Sequence, residues 1–327
     1  MDFAETVRSQ AVVLTEGALI ERLRRDASVP LDPHVLHAGF IYSEAGRDAL
    51  CGLYRQYLDI GRAAHLPMIV CTPTWRANPP RMRRSGLADR DVNGDGFRFL
   101  AAIREEYGEY AEQVFVGGLV GCAGDAYKPD EGLSTDEAAR FHGVQTKALA
   151  AAGVDFLLAA TLPNAGEARG IAAAMAACGV PYVLSFVMKG DGRLLDGSPL
   201  CDAIGVIDKA VSPRPLFYMA NCMHPMVFEA ALGSEISRAH QVTERVIGLQ
   251  ANASSKNPEE LDGLGQLDAD PPEVLADAML RVRQRFGTKI LGGCCGTDHR
   301  HIEWIARRAK EGVGPPLCVG EAVSRGE

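Results

Sequence analysis

Ile290-Leu291-Gly292-Gly293-Cys294-Cys295-Gly296-Thr297 is a short apolar run leading straight into a glycine-framed pair of cysteines. Ile290-Leu291 is the last of eight such runs. The others are Val12-Val13-Leu14, Met68 to Cys71, Val114 to Val116, Phe156 to Ala159, Tyr182 to Phe186, Leu216 to Met219 and Val246 to Leu249. Each is bounded by Gly, Pro or polar residues, as buried parallel strands are. Helical patterns lie between them. Leu50, Leu53, Tyr54, Tyr57 and Leu58 share one helix face. Ser134-Thr135-Asp136-Glu137 reads as a capping box opening a helix to Ala152, with Gly153 as its stop. Asn164 to Cys178 ends at Gly179, and Pro271 to Phe286 ends at Gly287. Eight strand–helix units predict an α/β chain folded as a single-domain (β/α)8 TIM barrel. An open doubly wound sheet is the rival, and the count of eight favours closure. The expected layout is an N-terminal tail at 1–10, the barrel at 11–312 and a C-terminal tail at 313–327. The stretch Thr72 to Gly96, rich in Pro, Arg, Asn and Gly, is expected as a long loop on the catalytic face.

Composition narrows the function classes. Of 327 residues 47% are hydrophobic and 23% charged, which excludes a disordered or fibrous chain. The net charge of −8 and the lack of a polybasic stripe argue against a nucleic-acid partner. Apolar runs stop well short of about 18 residues, so no membrane span is expected. Met1-Asp2-Phe3-Ala4-Glu5 has neither the basic nor the apolar part of a secretory signal. Nine scattered cysteines, an odd number, suit reduced thiols and a cytoplasmic location better than a disulfide framework. A homo-oligomer stays open.

The cysteines carry the chemistry. Cys294 and Cys295 follow the eighth strand, and Asn221-Cys222 follows the sixth. In a barrel both segments emerge at the same rim, so three sulfurs can converge. Zinc takes S and N ligands tetrahedrally, and a catalytic site keeps one position open. Glycines at 292, 293 and 296 would permit the bend that adjacent ligands need. Buried packing or a redox pair are the alternatives for the doublet alone, and the third cysteine favours a metal. His299 and His301 rank lower as ligands. His224, near Cys222, stands at the rim.

At this point the residues resemble the homocysteine S-methyltransferase family, zinc-dependent thiol methyltransferases that include betaine and S-methylmethionine users. The resemblance spans nearly the whole chain. Gly292 to Thr297 is similar to the family's C-terminal signature, and Ala220-Asn221-Cys222 to its central Asn-Cys motif. Glu16-Gly17-Ala18-Leu19 resembles its opening segment, Thr72 to Asn78 its second-strand loop, and Thr161-Leu162-Pro163-Asn164 its fourth-strand end. Ser185-Phe186, Asp191 to Leu194 and Asp196-Gly197 resemble its fifth-strand segment.

The resemblance implies a barrel with Zn2+ held by Cys222, Cys294 and Cys295. The implied reaction moves a methyl group from a sulfonium or quaternary ammonium donor to a small-molecule thiol, homocysteine by default. Glu16 and Asn221 are expected as catalytic residues. Glu16, Thr72, Trp75, Thr161 and Asn252 are expected to bind substrate, and Trp75 and Tyr218 to offer a cationic donor aromatic faces. One departure matters. The family places a carboxylate at the fourth strand end, where this chain reads Ala159-Ala160-Thr161. The alternatives are therefore the same chemistry on a non-homocysteine thiol, or a non-catalytic zinc-binding paralogue. A zinc hydrolase would need His224 as its base. Glu167, a turn into the next helix, is expected to face solvent.

Overall fold

A computed structural model describes residues 1–26, 29–235, 240–256 and 268–311. Eight strands close into one parallel barrel in sequence order. They are β1 (Val13–Thr15), β2 (Met68–Cys71), β3 (Val114–Val120), β4 (Phe156–Leu162), β5 (Tyr182–Phe186), β6 (Phe217–Met223), β7 (Val246–Ala251) and β8 (Ile290–Gly293). Closure is made by β8 on β1, with Val13 opposite Ile290 and Leu14 opposite Leu291. The surrounding helices are α1 (Phe3–Ser9), α2 (Ile20–Arg25), α3 (Glu44–Ala64), α4 (Pro79–Arg84), α5 (Val92–Glu105), α6 (Thr135–Ala152), α7 (Ala165–Ala176), α8 (Leu200–Ala210), α9 (Pro225–Glu235), α10 (His240–Arg245), α11 (Pro272–Phe286) and α12 (His299–Glu311). The barrel is closed, so the doubly wound alternative is set aside.

Side-chain alternation sorts the core into two shells. On β4, Leu157 and Ala159 pack outward against the helices, while Phe156, Leu158 and Ala160 point inward. The inward residues of β4 shrink from Phe through Leu to Ala toward the strand's C-terminal end. That taper fills the lower barrel and leaves space at the top.

Residues 1–10, expected as a tail, instead close the barrel's lower end. Asp2 caps α1 by accepting a hydrogen bond from Glu5 N at 2.7 Å. Phe3 and Val7 lie on one face of α1 and are buried among the inward residues. The Phe3 ring stacks on Phe156 at 3.9 Å between centroids and also meets Phe115 and Phe217. The i, i+4 apolar pair and the Asp2 cap are the signals a tail would lack. Residues 313–327 lie outside the described residues.

The stretch 72–96 is likewise not one loop. Asn78 caps α4, accepting from Arg81 N at 3.2 Å, and Asp91 caps α5, accepting from Gly94 N at 3.2 Å. Asn-Pro and Asp are helix-start residues, and they divide the excursion into short connections.

Candidate metal centre and its cavity

At the C-terminal rim the sulfurs of Cys222, Cys294 and Cys295 all lie within 4.8 Å of one another. Cys222 Sγ and Cys294 Sγ are 2.8 Å apart, well beyond the roughly 2.05 Å of a covalent bridge. Local backbone geometry brings them together. The β6–β7 register slips between Asn221 and Met223, and Cys222 takes a left-handed φ of 56°. The β4–β5 register slips between Ala159 and Leu162, where Thr161 has φ 61°. Such bulges re-aim side chains at barrel rims. A β-branched residue in this region is a true outlier, costing roughly 1–3 kcal/mol.

Asn221 holds this strain in place. Its Oδ1 accepts from Thr161 N and from Ser185 Oγ, each at 2.8 Å, and its Nδ2 donates to Thr161 Oγ1 at 2.6 Å. One amide thereby ties β4, β5 and β6 together beside Cys222. Three of its hydrogen bonds are made to the barrel itself, so Asn221 acts on the site chiefly by positioning. Asn221→Ala is expected to free Thr161 and weaken metal binding roughly 10–100-fold, read by competition with a chelator. Unchanged affinity would mean that the bulge holds its own shape.

The turn after β8 is pinned from both sides. Gly293 N donates to Glu16 O at 3.1 Å, Cys294 N to Ala251 O at 2.7 Å, and Cys295 N to Asn252 Oδ1 at 3.1 Å. Gly296 N donates to the Glu21 carboxylate, and Thr297 N to Cys294 O at 3.2 Å. Five consecutive amides are thus satisfied by neighbouring segments and the turn itself. The glycines do different work from the expected bend. Only Gly296 has positive φ, at 80°. A Cβ on Gly292 would overlap Thr15, and one on Gly293 would overlap Thr297. These two glycines serve close approach to neighbouring chain.

The three thiols hydrogen-bond one another. Hydrogen bonds from Cys294 and Cys295 hold the Cys222 thiol well below its usual range. In keeping those protons, Cys294 and Cys295 are pushed up. Three adjacent soft donors with no disulfide among them fit a thiophilic divalent cation with an open fourth position.

The sulfurs open onto a cavity of about 750 Å³. Glu16, Thr72, Trp75, Thr161, Asn221 and Asn252 all line it, so the site residues expected from the sequence are brought to one place. Glu16 Oε2 accepts from Cys71 N at 3.0 Å. Burial pushes its carboxyl up to about 8, against the opposing effect of the Cys71 hydrogen bonds. Thr72 Oγ1 lies 2.7 Å from Thr74 Oγ1 and accepts from Leu119 N at 3.0 Å. The Trp75 indole donates to Ala160 O at 3.3 Å, and Arg76 covers one face of the ring, 4.3 Å from its centroid.

Other sequence expectations are corrected. Tyr218 offers no face to the cavity. It is fully buried, stacks on Phe186 and donates to Asp208 at 2.8 Å, because it sits at an outward position of β6. His224 is not among the residues lining the cavity. Its Nε2 pairs with Asp270 at 3.0 Å and its Nδ1 accepts from Met226 N at 3.2 Å, which removes the base a hydrolase would need. His301 is engaged with Asp298 at 3.0 Å. Glu167 is buried, not solvated, and sits against His142 at 2.8 Å while accepting from Ala123 N at 2.8 Å.

Several cavity residues have no signal in the sequence, three of them polar side chains that bear on the site. Tyr127, on the loop after β3, brings its phenol to the Cys222 sulfur. Gln250 reaches across from β7 to Thr15 Oγ1 at 3.1 Å. His37 lines the cavity from the segment between α2 and α3.

The profile of the homocysteine S-methyltransferase family matches residues 13–309. A homocysteine S-methyltransferase from Escherichia coli K12 is 26% identical over 266 residues, covering 77% of this chain and 83% of that protein. Homocysteine S-methyltransferase 4 of Zea mays is 26% identical over 235 residues, 70% of this chain but only 64% of its own length. The crystal structure of the Escherichia coli homocysteine methyltransferase MmuM in its metallated form superposes with a TM-score of 0.73 at 22% identity, covering 93% of this chain and 98% of that one. That likeness is one of fold.

Proposed function

The chain belongs to the homocysteine S-methyltransferase family, and on that premise we propose that it is a zinc-dependent methyltransferase acting on a thiol, with homocysteine as the expected acceptor and a sulfonium or quaternary ammonium compound as donor. The observation that carries this reading is the convergence of three sulfurs on the wall of the rim cavity. Cys222, Cys294 and Cys295 would hold the ion. When bound, zinc supplies the means to keep a thiol deprotonated at neutral pH.

The protein's own residues do the rest. The β8 turn fixes Cys294 and Cys295, and Asn221 fixes the strand end that carries Cys222. The packed lower barrel leaves one compartment at the top, where two reactants meet in a restricted geometry. Such positioning contributes up to roughly 7–11 kcal/mol in favourable cases. Trp75 lines the cavity, where its ring would meet a cationic donor. Glu16 orients the acceptor. Neutral while the cavity is empty, it releases its proton to solvent as an ammonium enters and so supplies the anion that Ala160 lacks.

The test is methyl transfer by metal-loaded protein across homocysteine, cysteine and glutathione with S-methylmethionine and glycine betaine as donors. Turnover with homocysteine at a micromolar to millimolar KM is expected. Turnover confined to another thiol would overturn the acceptor, and no turnover with any pair would overturn the activity. No helix among the described residues is long and apolar enough to cross a membrane.

A further inference from the structure

The cavity wall nearest β1 is built by a short knot of chain. Asp32 and Leu36 exchange two backbone hydrogen bonds, each at 3.0 Å. The Asp32 carboxylate accepts from His34 N at 2.7 Å, Val35 N at 2.9 Å and Ser85 Oγ at 2.7 Å. Val35 and Ala38 pack with Ala77 and Val92 in a small separate core. Leu36 takes a left-handed φ of 58°, which costs a non-glycine residue roughly 1–2 kcal/mol. This wall is therefore preset, at some cost, before any ligand arrives.

What the knot presents is His37. The residue is 3% exposed and lines the same cavity as the sulfurs. Its Nδ1 is buried and has no hydrogen-bond partner among the described residues. Burial holds the ring down to about 4, so at neutral pH it is uncharged, with one N–H to donate and one lone pair. An unsatisfied buried polar group costs roughly 1–3 kcal/mol, and with Nδ1 closed off from the cavity the nitrogen left to meet a ligand is Nε2. Arg24 lines the same cavity and makes no ion pair among the described residues, while its neighbour Arg25 pairs with Glu21 at 2.7 Å. A hydrogen-bonding imidazole and an exposed, unpaired guanidinium lining one cavity match a carboxylate.

We propose that His37 is a substrate-contacting residue whose imidazole hydrogen-bonds a substrate carboxylate, with Arg24 supplying the charge. The inference rests on the methyl-transfer reading, in which acceptor and donor can both carry that group. The experiment separates the two sources. Histidine-ring nitrogen spectra of full-length, metal-loaded protein would be recorded, with the His37 signal identified by its loss in His37→Phe. Ligands would be added singly: homocysteine, its decarboxylated analogue 3-aminopropanethiol, glycine betaine, and its carboxylate-free counterpart tetramethylammonium.

The expected result is that the His37 signal moves with a carboxylate ligand and not with its carboxylate-free partner. A response to homocysteine assigns the subsite to the acceptor, and one to betaine assigns it to the donor. His37→Phe should raise the Kd of that ligand roughly 10-fold and leave its partner's Kd unchanged. His37→Gln should recover part of the loss, and Arg24→Gln should weaken the same ligand. Equal weakening of both partners, or a ring signal that moves with none of the four ligands, overturns the proposal. Should His37→Phe fail to fold, His37→Gln and the wild-type spectra decide alone. Because these readouts need no turnover, a failed methyl-transfer assay would overturn the catalytic reading and leave this result standing.

Discussion

Cys294→Ala is expected to reduce bound zinc from one per chain to near zero and to cut methyl transfer by more than roughly 100-fold. Removing a group that merely orients a metal ligand already costs roughly 10–100-fold, and here a ligand itself is lost. Two remaining sulfurs offer too few donors for the site described. The fold should persist, because Cys294 lies outside the inward and outward cores. Metal content by atomic emission, circular dichroism and turnover would be measured on one preparation. Cys178→Ala is the control, since Cys178 sits past the end of α7 with its thiol directed to Ala174 O at 3.3 Å. A Cys294→Ala protein with full metal and full activity would remove the basis of the mechanism.

Glu16→Gln carries the other large effect, and it depends on pH. Burial raises the Glu16 carboxyl from 4.5 to about 8. Between those values the unfolded chain gives up its proton while the folded chain keeps it, so the unfolded state binds fewer protons. Stability from this group is complete below about pH 4.5 and is lost as pH climbs through 8. Glutamine keeps the acceptor for Cys71 N and cannot ionise. The variant should match the wild type near pH 4.5 and gain on it with rising pH, by roughly 5 kcal/mol at most. Denaturant unfolding of both proteins at equal metal content would measure the difference, in which the metal's own pH dependence cancels. A gap that stays flat from about pH 5 to 8 would mean that Glu16 is already ionised when the cavity is empty. In the same variant the KM for homocysteine should rise while kcat changes less, as expected for a residue that orients the acceptor.

The barrel and the sulfur trio are legible in the sequence because both rest on repeating or rare signals. Strand periodicity recurs eight times, and a Gly-Gly-Cys-Cys-Gly run after a strand has few readings. What stays hidden depends on contacts made across distant chain segments. Nothing local marks Thr161 or Cys222 as left-handed, a region non-glycine residues seldom enter and β-branched ones such as Thr161 least of all, and what accompanies it is Asn221 bridging three strands. Glu167 reads as solvated because a carboxylate in a first helical turn usually is, yet His142 and Ala123 N enclose it. His37 gives no signal, for a lone histidine in a loop becomes informative only when its neighbours leave a ring nitrogen unpaired. Phe3 shows the opposite failing: a cap and an apolar i, i+4 pair are present, and nearness to the chain end outweighs them.

The aromatic plug that α1 drives into the bottom of the barrel bears on the traffic of the proposed reaction. With Phe3 seated on Phe156 the barrel's lower end is filled, so reactants and products exchange on the rim side, where the sulfurs and Tyr127 line the cavity. The molecule that lies against the sulfurs is then expected to enter first, and the spent donor to leave before the methylated thiol. An excess of donor arriving early would block the queue, which makes compulsory-order kinetics with inhibition at high donor concentration the natural signature of this architecture.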